Sequence, residues 1–288
     1  KTGVKTMRKM TVLVVGGITA MVMLVDLPSR EASAISPQTI ASTSVGAGRA
    51  VVNAAVGQRR SDRKKSRRMT YKVVEVTDSG TIEGVVLYKG RVPPPKTIQI
   101  VKDQEVCDHR PKTVPAIEIN DQHQVAEAVV FLGDIKAGKA PPEAAAKPRI
   151  DQKHCRFEPH VQVMLNRQPF DVTNSDPVLH NIQATQGFRE LFNVAQPRQG
   201  SSFENKITKG GLVKLQCQAH QWMRAYVYVL WHPYYHVTGD DGAFKLTDVP
   251  AGEYELVVWQ ETLGEQSQTV QVESGKTARI ECLLEPAK

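Results

Sequence analysis

A long amphipathic helix is missing from this chain. The short stretch "PPEAAAKP" is the only candidate for a helical turn or two. Cysteine is scarce as well, with four in 288 residues, and the paired spacing that zinc ribbons need is absent. Basic charge looks abundant at a formal net of +7, but the body of the protein lacks it. Residues 1–72 carry 14 Lys and Arg against 3 Asp and Glu, a net of +11, which leaves 23 against 27, or −4, for residues 73–288. A nucleic-acid partner, which the total charge would suggest, is therefore not expected. The hydrophobic share of 41% is ordinary and allows a sizeable core in one or two folded units.

The N-terminal extension begins like an export signal. Arg8 and Lys9 precede the uncharged run Thr11 to Val25, and small residues follow at Ala32 and Ala34. Fifteen residues fall short of the roughly 20 that span a bilayer. Residues 1–34 are read as a signal peptide cleaved after Ala34, with a retained N-terminal anchor as the alternative. Residues 35–79 are rich in Ser, Ala, Gly and Val and include "QRRSDRKKSRRMTYK", a basic, disordered linker by composition. Its segment 58–72 would meet anionic lipid or an acidic partner. Export implies a periplasmic or otherwise oxidising location, where disulfides persist.

From residue 80 onward the chain is strand-like. "TIEGVVLYKG", "AEAVVFLGDI", "GLVKLQC", "AYVYVLW", "GAFKLTDV", "GEYELVVW" and "TARIECLLE" are short alternating or continuously apolar runs between Gly, Pro, Asn and Asp. "VQVMLNRQPFDVTNSD" reads as two strands around a turn at Asn166–Arg167. This pattern predicts all-β sandwiches. Cys282 sits where Ile280 and Leu284 share its face, the position of a small buried hydrophobe. Cys107 and Cys155 lie in polar, loop-like contexts and form the natural disulfide pair of an exported chain.

Cys217 stands apart. In "QCQAHQWM" it is followed by His220 and Met223 at intervals of three. A copper electron-transfer site needs two imidazoles, one thiolate and a weak axial thioether. The second imidazole would come from His180, which follows the turn residues Asn174, Ser175, Asp176 and Pro177 at the start of a strand. Zinc would not ordinarily use the methionine, and a Cys–His pair this close on a loop is not the usual protease arrangement. His160, His232 and His236 read as surface or partly buried residues rather than ligands.

"FEPHVQVMLNRQPFDVTNSDPVLHNIQ" followed by "GGLVKLQCQAHQWMRAYVYV" resembles a cupredoxin, the blue-copper fold of plastocyanin and amicyanin. The resemblance implies a Greek-key β-sandwich over residues 149–231 and one type 1 copper. His180, Cys217, His220 and Met223 would be its ligands, and Asn181 would tie the two ligand segments together by hydrogen bonds. It further implies one-electron exchange with a redox protein such as a cytochrome or oxidoreductase. His220 lies near the protein edge in that fold, and Trp222 beside it would extend a docking patch. No general acid or base is evident, so no enzymatic turnover is expected. Two other roles are compatible with these residues: a copper-carrying or storage protein, and a structural subunit of a membrane-bound respiratory assembly.

"VTGDDGAFKLTDVPAGEYELVVWQ" resembles the carboxypeptidase regulatory-like domain, a transthyretin-like β-sandwich. That family opens with strands like those found here before the cupredoxin segment. The implied organisation is one sandwich in two pieces, residues 80–148 and 232–288, with the cupredoxin inserted between them; two consecutive domains are the simpler alternative.

Overall fold

The computed structural model describes residues 70–142 and 147–286. The expected signal segment, its expected cleavage point at Ala34, the basic run 58–72 apart from its last three residues, and the central four residues of "PPEAAAKP" lie outside the described residues. The described residues are nearly all β, with twenty strands and one four-residue helix, Gln104–Cys107. No helix among them is long and apolar enough to cross a membrane.

Four sheets carry the architecture. The first joins Ala243–Pro250, Ser79–Tyr88 and Thr277–Leu284, and the second joins Tyr235–Val237, Val129–Leu132, Gly252–Gln260 and Gly264–Val272, each in spatial order. The third runs Arg189–Gln196, His180–Gln186, Gly211–Gln216, Arg224–Leu230, Val161–Leu165. The fourth runs Ser202–Lys206, Pro169–Asn174, Arg149–Lys153, Arg156–Glu158. In the first two sheets strands before residue 140 thus pair with strands after residue 234, as in the parallel pair Thr81↔Thr277 to Tyr88↔Leu284. Strands within 149–230 pair only with one another in the two remaining sheets.

Burial explains which runs are continuous and which alternate. Val130 and Leu132 pack with Ile82, Val86 and Leu256 between the first two sheets, while Val129 and Phe131 point the other way, against Val161, Val163, Tyr228 and Leu230. Ala225, Val227 and Val229 face a different core, shared with Ile150, Phe170, Val172 and Ile182. The second and third sheets are therefore covered on both faces, which is why "AVVFL" and "AYVYVLW" are apolar at every position. Between them Phe131 meets Tyr228 at a ring separation of 4.7 Å and Tyr226 meets Trp259 at 5.3 Å. Aromatic pairs of this kind add about 0.5–1.5 kcal/mol each beyond the area they bury.

Val161–Leu165 and Pro169–Asn174 do not form a hairpin. They belong to facing sheets, with Arg167 at φ 64° in the turn that carries the chain across. Cys282 is 3% exposed in the outer core, and Gln268 Nε2 donates to its sulfur at 3.0 Å. Burial pushes its thiol up to about 11, so it remains a neutral packing group. His160 and His236 are half-buried, as expected, but His232 is fully buried. Its Nδ1 accepts the Tyr234 N–H at 3.2 Å, and desolvation holds it down to about 4, in the neutral form.

Residues 96–114 behave differently from the sheets around them. Lys96–Ile98 and Lys112–Val114 pair antiparallel, and the chain between them leaves the outer sandwich, formed by the first two sheets, and enters the inner one, formed by the third and fourth. Ile100 and Cys107 are buried in that core, with Ile98 and Val106 packed against it. Cys107 is disulfide-bonded to Cys155, with a Cα–Cα distance of 5.1 Å.

Candidate metal centre

Two connections at one end of the inner sandwich supply the site, the first crossing between its sheets and the second closing a hairpin. The first is built by Asn174, whose Nδ2 donates to Val178 O and Gln196 O, both at 2.9 Å, and whose Oδ1 accepts the Asp176 N–H at 2.9 Å. This Asx turn delivers His180 as the first residue of its strand. The second connection joins Gly211–Gln216 to Arg224–Leu230, which pair from Gln216↔Arg224 onward. It is closed by Cys217 N–H to Met223 O at 3.3 Å and Met223 N–H to His220 O at 2.9 Å.

His180, Cys217, His220 and Met223 are each at most 1% exposed. His180 Nδ1 and His220 Nδ1 lie 2.9 Å apart, and Cys217 Sγ is 3.9 Å from the first and 3.8 Å from the second. The structure thus brings together both imidazoles and the thiol, with Met223 buried in the same loop.

The outer nitrogens decide the state of the inner ones. His180 Nε2 donates to Asp176 Oδ2 at 2.9 Å, and His220 Nε2 donates to Asp103 Oδ2 at 2.8 Å. An ionised carboxylate only accepts, so each Nε2 carries a ring proton and each Nδ1 is left to face the site. Two imidazole nitrogens at 2.9 Å with a sulfur beside them are satisfied by a shared proton or by a metal cation between them. Burial, then the neighbouring His180, holds the His220 imidazole below the usual range despite Asp103, which keeps the lone pair free. His180 Nδ1, His220 Nδ1 and Cys217 Sγ would hold a metal ion between them, their separations being compatible with ordinary imidazole and thiolate ligand distances. The donor set of two imidazoles, one thiolate and a thioether suits copper better than the hard divalent cations.

The surrounding hydrogen bonds fix both ligand segments. Asn181 Oδ1 accepts the backbone N–H groups of Gln218 at 2.6 Å and Ala219 at 3.2 Å, and its own N–H points at Cys217 Sγ at 3.5 Å. Asp176 also accepts the N–H groups of His154 at 2.7 Å and Cys155 at 2.8 Å. His154 and Cys155 have φ of 52° and 53°, so their successive N–H groups make a small nest for the carboxylate. Trp222 is half-buried; its ring packs on His220 at 5.1 Å and its Nε1 donates to Cys155 O at 3.3 Å.

Of the two carboxylates that meet the imidazoles, the sequence marks Asp176 only as a turn residue and does not mark Asp103. Asp176 lies inside the motif, four residues before His180, and its spacing was a usable signal. Asp103 lies 117 residues before His220, and no local pattern marks it.

The geometry defines a buried cluster of two imidazoles and one thiol at the end of a β-sandwich within an all-β protein. Solved structures similar to part of the chain include a purple cupredoxin from Nitrosopumilus maritimus at 24% identity, covering 29% of this chain and 99% of that one, with a TM-score of 0.26. A reduced mutant of amicyanin matches at 19% identity over 30% of this chain and 86% of that one, with a TM-score of 0.27. The copper-containing nitrite reductase of Thermus scotoductus matches at 16% identity over 31% of this chain and 25% of that one, with a TM-score of 0.26. The family model described as polysaccharide lyase family 4, domain II, matches residues 212–280, well under half of the chain. No curated protein matches. The transthyretin-like resemblance of the outer sandwich finds no counterpart among these matches.

Proposed function

We propose that this is an exported copper protein that carries single electrons between redox partners through a type 1 centre held by His180, Cys217, His220 and Met223. The observation that carries this reading is the convergence of His180 Nδ1, His220 Nδ1 and Cys217 Sγ with both Nε2–H groups committed to carboxylates. Copper supplies a one-electron couple that these side chains cannot. The protein's part is to hold three donors in a preset arrangement, exclude water from them, and keep both imidazoles in one tautomer. A preset geometry needs little rearrangement when charge changes, which suits electron transfer.

Full burial of the ligands also argues against free exchange of metal, and so against a carrier or storage role. The outer sandwich, strands 79–138 and 235–284, is read as a transthyretin-like adaptor into which the cupredoxin segment is inserted, and the basic linker as its contact with a membrane surface or an acidic partner. The electron donor and acceptor are proteins, and no catalytic turnover is assigned.

The test is a titration of the protein with Cu(II) beside Cys217→Ser. An intense visible charge-transfer band with narrow copper hyperfine splitting, lost in the variant, is the expected result. A pale spectrum unchanged by the substitution would remove Cys217 from the centre and the reading with it.

A further inference from the structure

The centre takes one of its determinants from outside its own sandwich. His220 is fully buried, yet the group that meets its outer nitrogen, Asp103, belongs to the segment 96–114 that enters from the outer sandwich. Resting on the copper reading above, we propose that Asp103 is the positioning residue of His220, and that the Cys107–Cys155 disulfide is the clip that keeps it in place.

Four features converge on this role. The contact itself is a short charge-assisted hydrogen bond, His220 Nε2 to Asp103 Oδ2 at 2.8 Å, with the imidazole buried and the carboxylate 31% exposed. Asp103 adopts φ 48°, ψ 42° and Asp108 φ 140°, ψ 148°, so the turn between them starts and ends in conformations that non-glycine residues adopt only when neighbours impose them. That turn is closed by the N–H groups of Val106 and Cys107 donating to Asp103 O at 3.0 and 2.9 Å, and by Gln104 Nε2 donating to Ile100 O at 2.6 Å. The imposing neighbours are the buried Ile100 and the disulfide, since Cys107 and Cys155 are 2% and 0% exposed. The sulfurs of both cysteines lie within 4.8 Å of a His220 ring nitrogen.

The physical consequences follow from the placement. Asp103 sets the rotation of the His220 ring and keeps its proton on Nε2, as carboxylate partners of metal-bound imidazoles do. Its negative charge favours the more positive oxidised form of the centre, lowering the reduction potential. It also stands at the outer edge of His220, the edge that would otherwise face a partner. Sulfurs paired in the disulfide cannot compete with Cys217 for a soft metal.

The test uses the full-length protein and the variants Asp103→Asn, Asp103→Ala and Cys107→Ser/Cys155→Ser. In the apo protein labelled with 15N-histidine, the His220 Nε2–H should be protected from solvent exchange in wild type and in Asp103→Asn, and unprotected in Asp103→Ala and the double serine variant. In the copper-loaded protein, Asp103→Ala should release Cu(I) to a chelator such as bathocuproine disulfonate about tenfold faster or more. Asp103→Asn should release it at a rate near wild type while raising the reduction potential. A merely structural Asp103 would move unfolding temperature but neither the potential nor the proton. Equal exchange of the Nε2–H in wild type and Asp103→Ala would overturn the contact whatever the metal does. A protected proton in a wild type that takes up no Cu(II) would overturn the copper reading and the proposal that rests on it. If the double serine variant keeps wild-type protection and release, the disulfide is not the clip.

Discussion

Asn181 Oδ1 accepts the Gln218 backbone N–H at 2.6 Å, so the strand that begins with one imidazole is bonded to the loop that carries the other. The same oxygen takes the Ala219 N–H at 3.2 Å. Together these bonds set the separation of His180 from Cys217 and His220, and no backbone ladder does so at that point, since pairing of the two strands begins only at Gln183↔Gln216.

Replacing Asn181 with Ala should leave both N–H groups without a partner in a poorly hydrated site. The expected cost is about 2 kcal/mol of stability, with copper affinity reduced about 10-fold or more. Denaturant unfolding of the apo protein and competition with a copper chelator measure the two effects separately. An unchanged affinity would mean that the loop holds its form without this tie.

Asp176→Asn addresses the other carboxylate. The native side chain accepts from His154, Cys155 and His180 while 3% exposed. An amide cannot accept on both of its arms, so one donor loses its partner and the positive nest loses its charge. Apo stability should fall by about 2–3 kcal/mol. The Cu(II) spectrum should change too, because the negative charge that meets the His180 Nε2–H is gone. Retention of the wild-type spectrum and stability would show that the nest does not need an anion.

The cluster of His180, Cys217 and His220, with Met223 in the same loop, was legible because all four residues lie within 44 positions in a fixed order, on strand ends that hydrophobic patterning already marks. The all-β class was legible for the same reason. What the pattern could not supply was which way each buried strand faces. "AVVFL" reads as buried, but only the folded sheets reveal that Val129 and Phe131 pack away from Val130 and Leu132. Asp103 was illegible for a different reason. Its function depends on a crossing between two sandwiches 117 residues apart in sequence, and a lone aspartate next to a lysine carries no sign of that. The turn at Asn166–Arg167 was read correctly as a turn, yet a turn that changes sheet and one that closes a hairpin use the same residue chemistry.

Trp259 tests whether the sandwiches fold as one. It is 5% exposed and packs on Tyr226 and Tyr228 across the inter-sandwich core. Trp259→Ala should cost about 3–5 kcal/mol. Because the loss falls on the seam between cores, thermal unfolding of the variant should separate into two transitions where wild type shows one. A single transition shifted to lower temperature would mean that the seam is not the weakest junction.

The pair His160–Glu261 bridges the same two sandwiches and predicts a pH dependence. His160 Nε2 lies 2.9 Å from Glu261 Oε2 and Nδ1 lies 3.0 Å from Arg224 O. Both neighbours are acceptors, so only the imidazolium satisfies both. Burial works against that charge, but the hydrogen bond and the charge of Glu261 outweigh it and raise the imidazole above 6.5. Burial likewise opposes ionisation of Glu261, and His160 overcomes it, lowering the carboxyl below 4.5. A raised histidine contributes stability that is complete below its unfolded value and is lost as pH rises through the folded one. A lowered glutamate contributes stability that is complete above its unfolded value and is lost as pH falls through the folded one. The pair should therefore stabilise most between pH 4.5 and 6.5. Both side chains are about one-third exposed, so solvent screening limits the effect to about 1 kcal/mol. Urea unfolding of wild type and His160→Gln at several pH values should give a difference that is largest near pH 5.5 and shrinks steadily above pH 6.5. A difference constant from pH 5 to pH 9 would mean that the ring bridges the sandwiches as a neutral hydrogen-bonding group and that its charge contributes nothing.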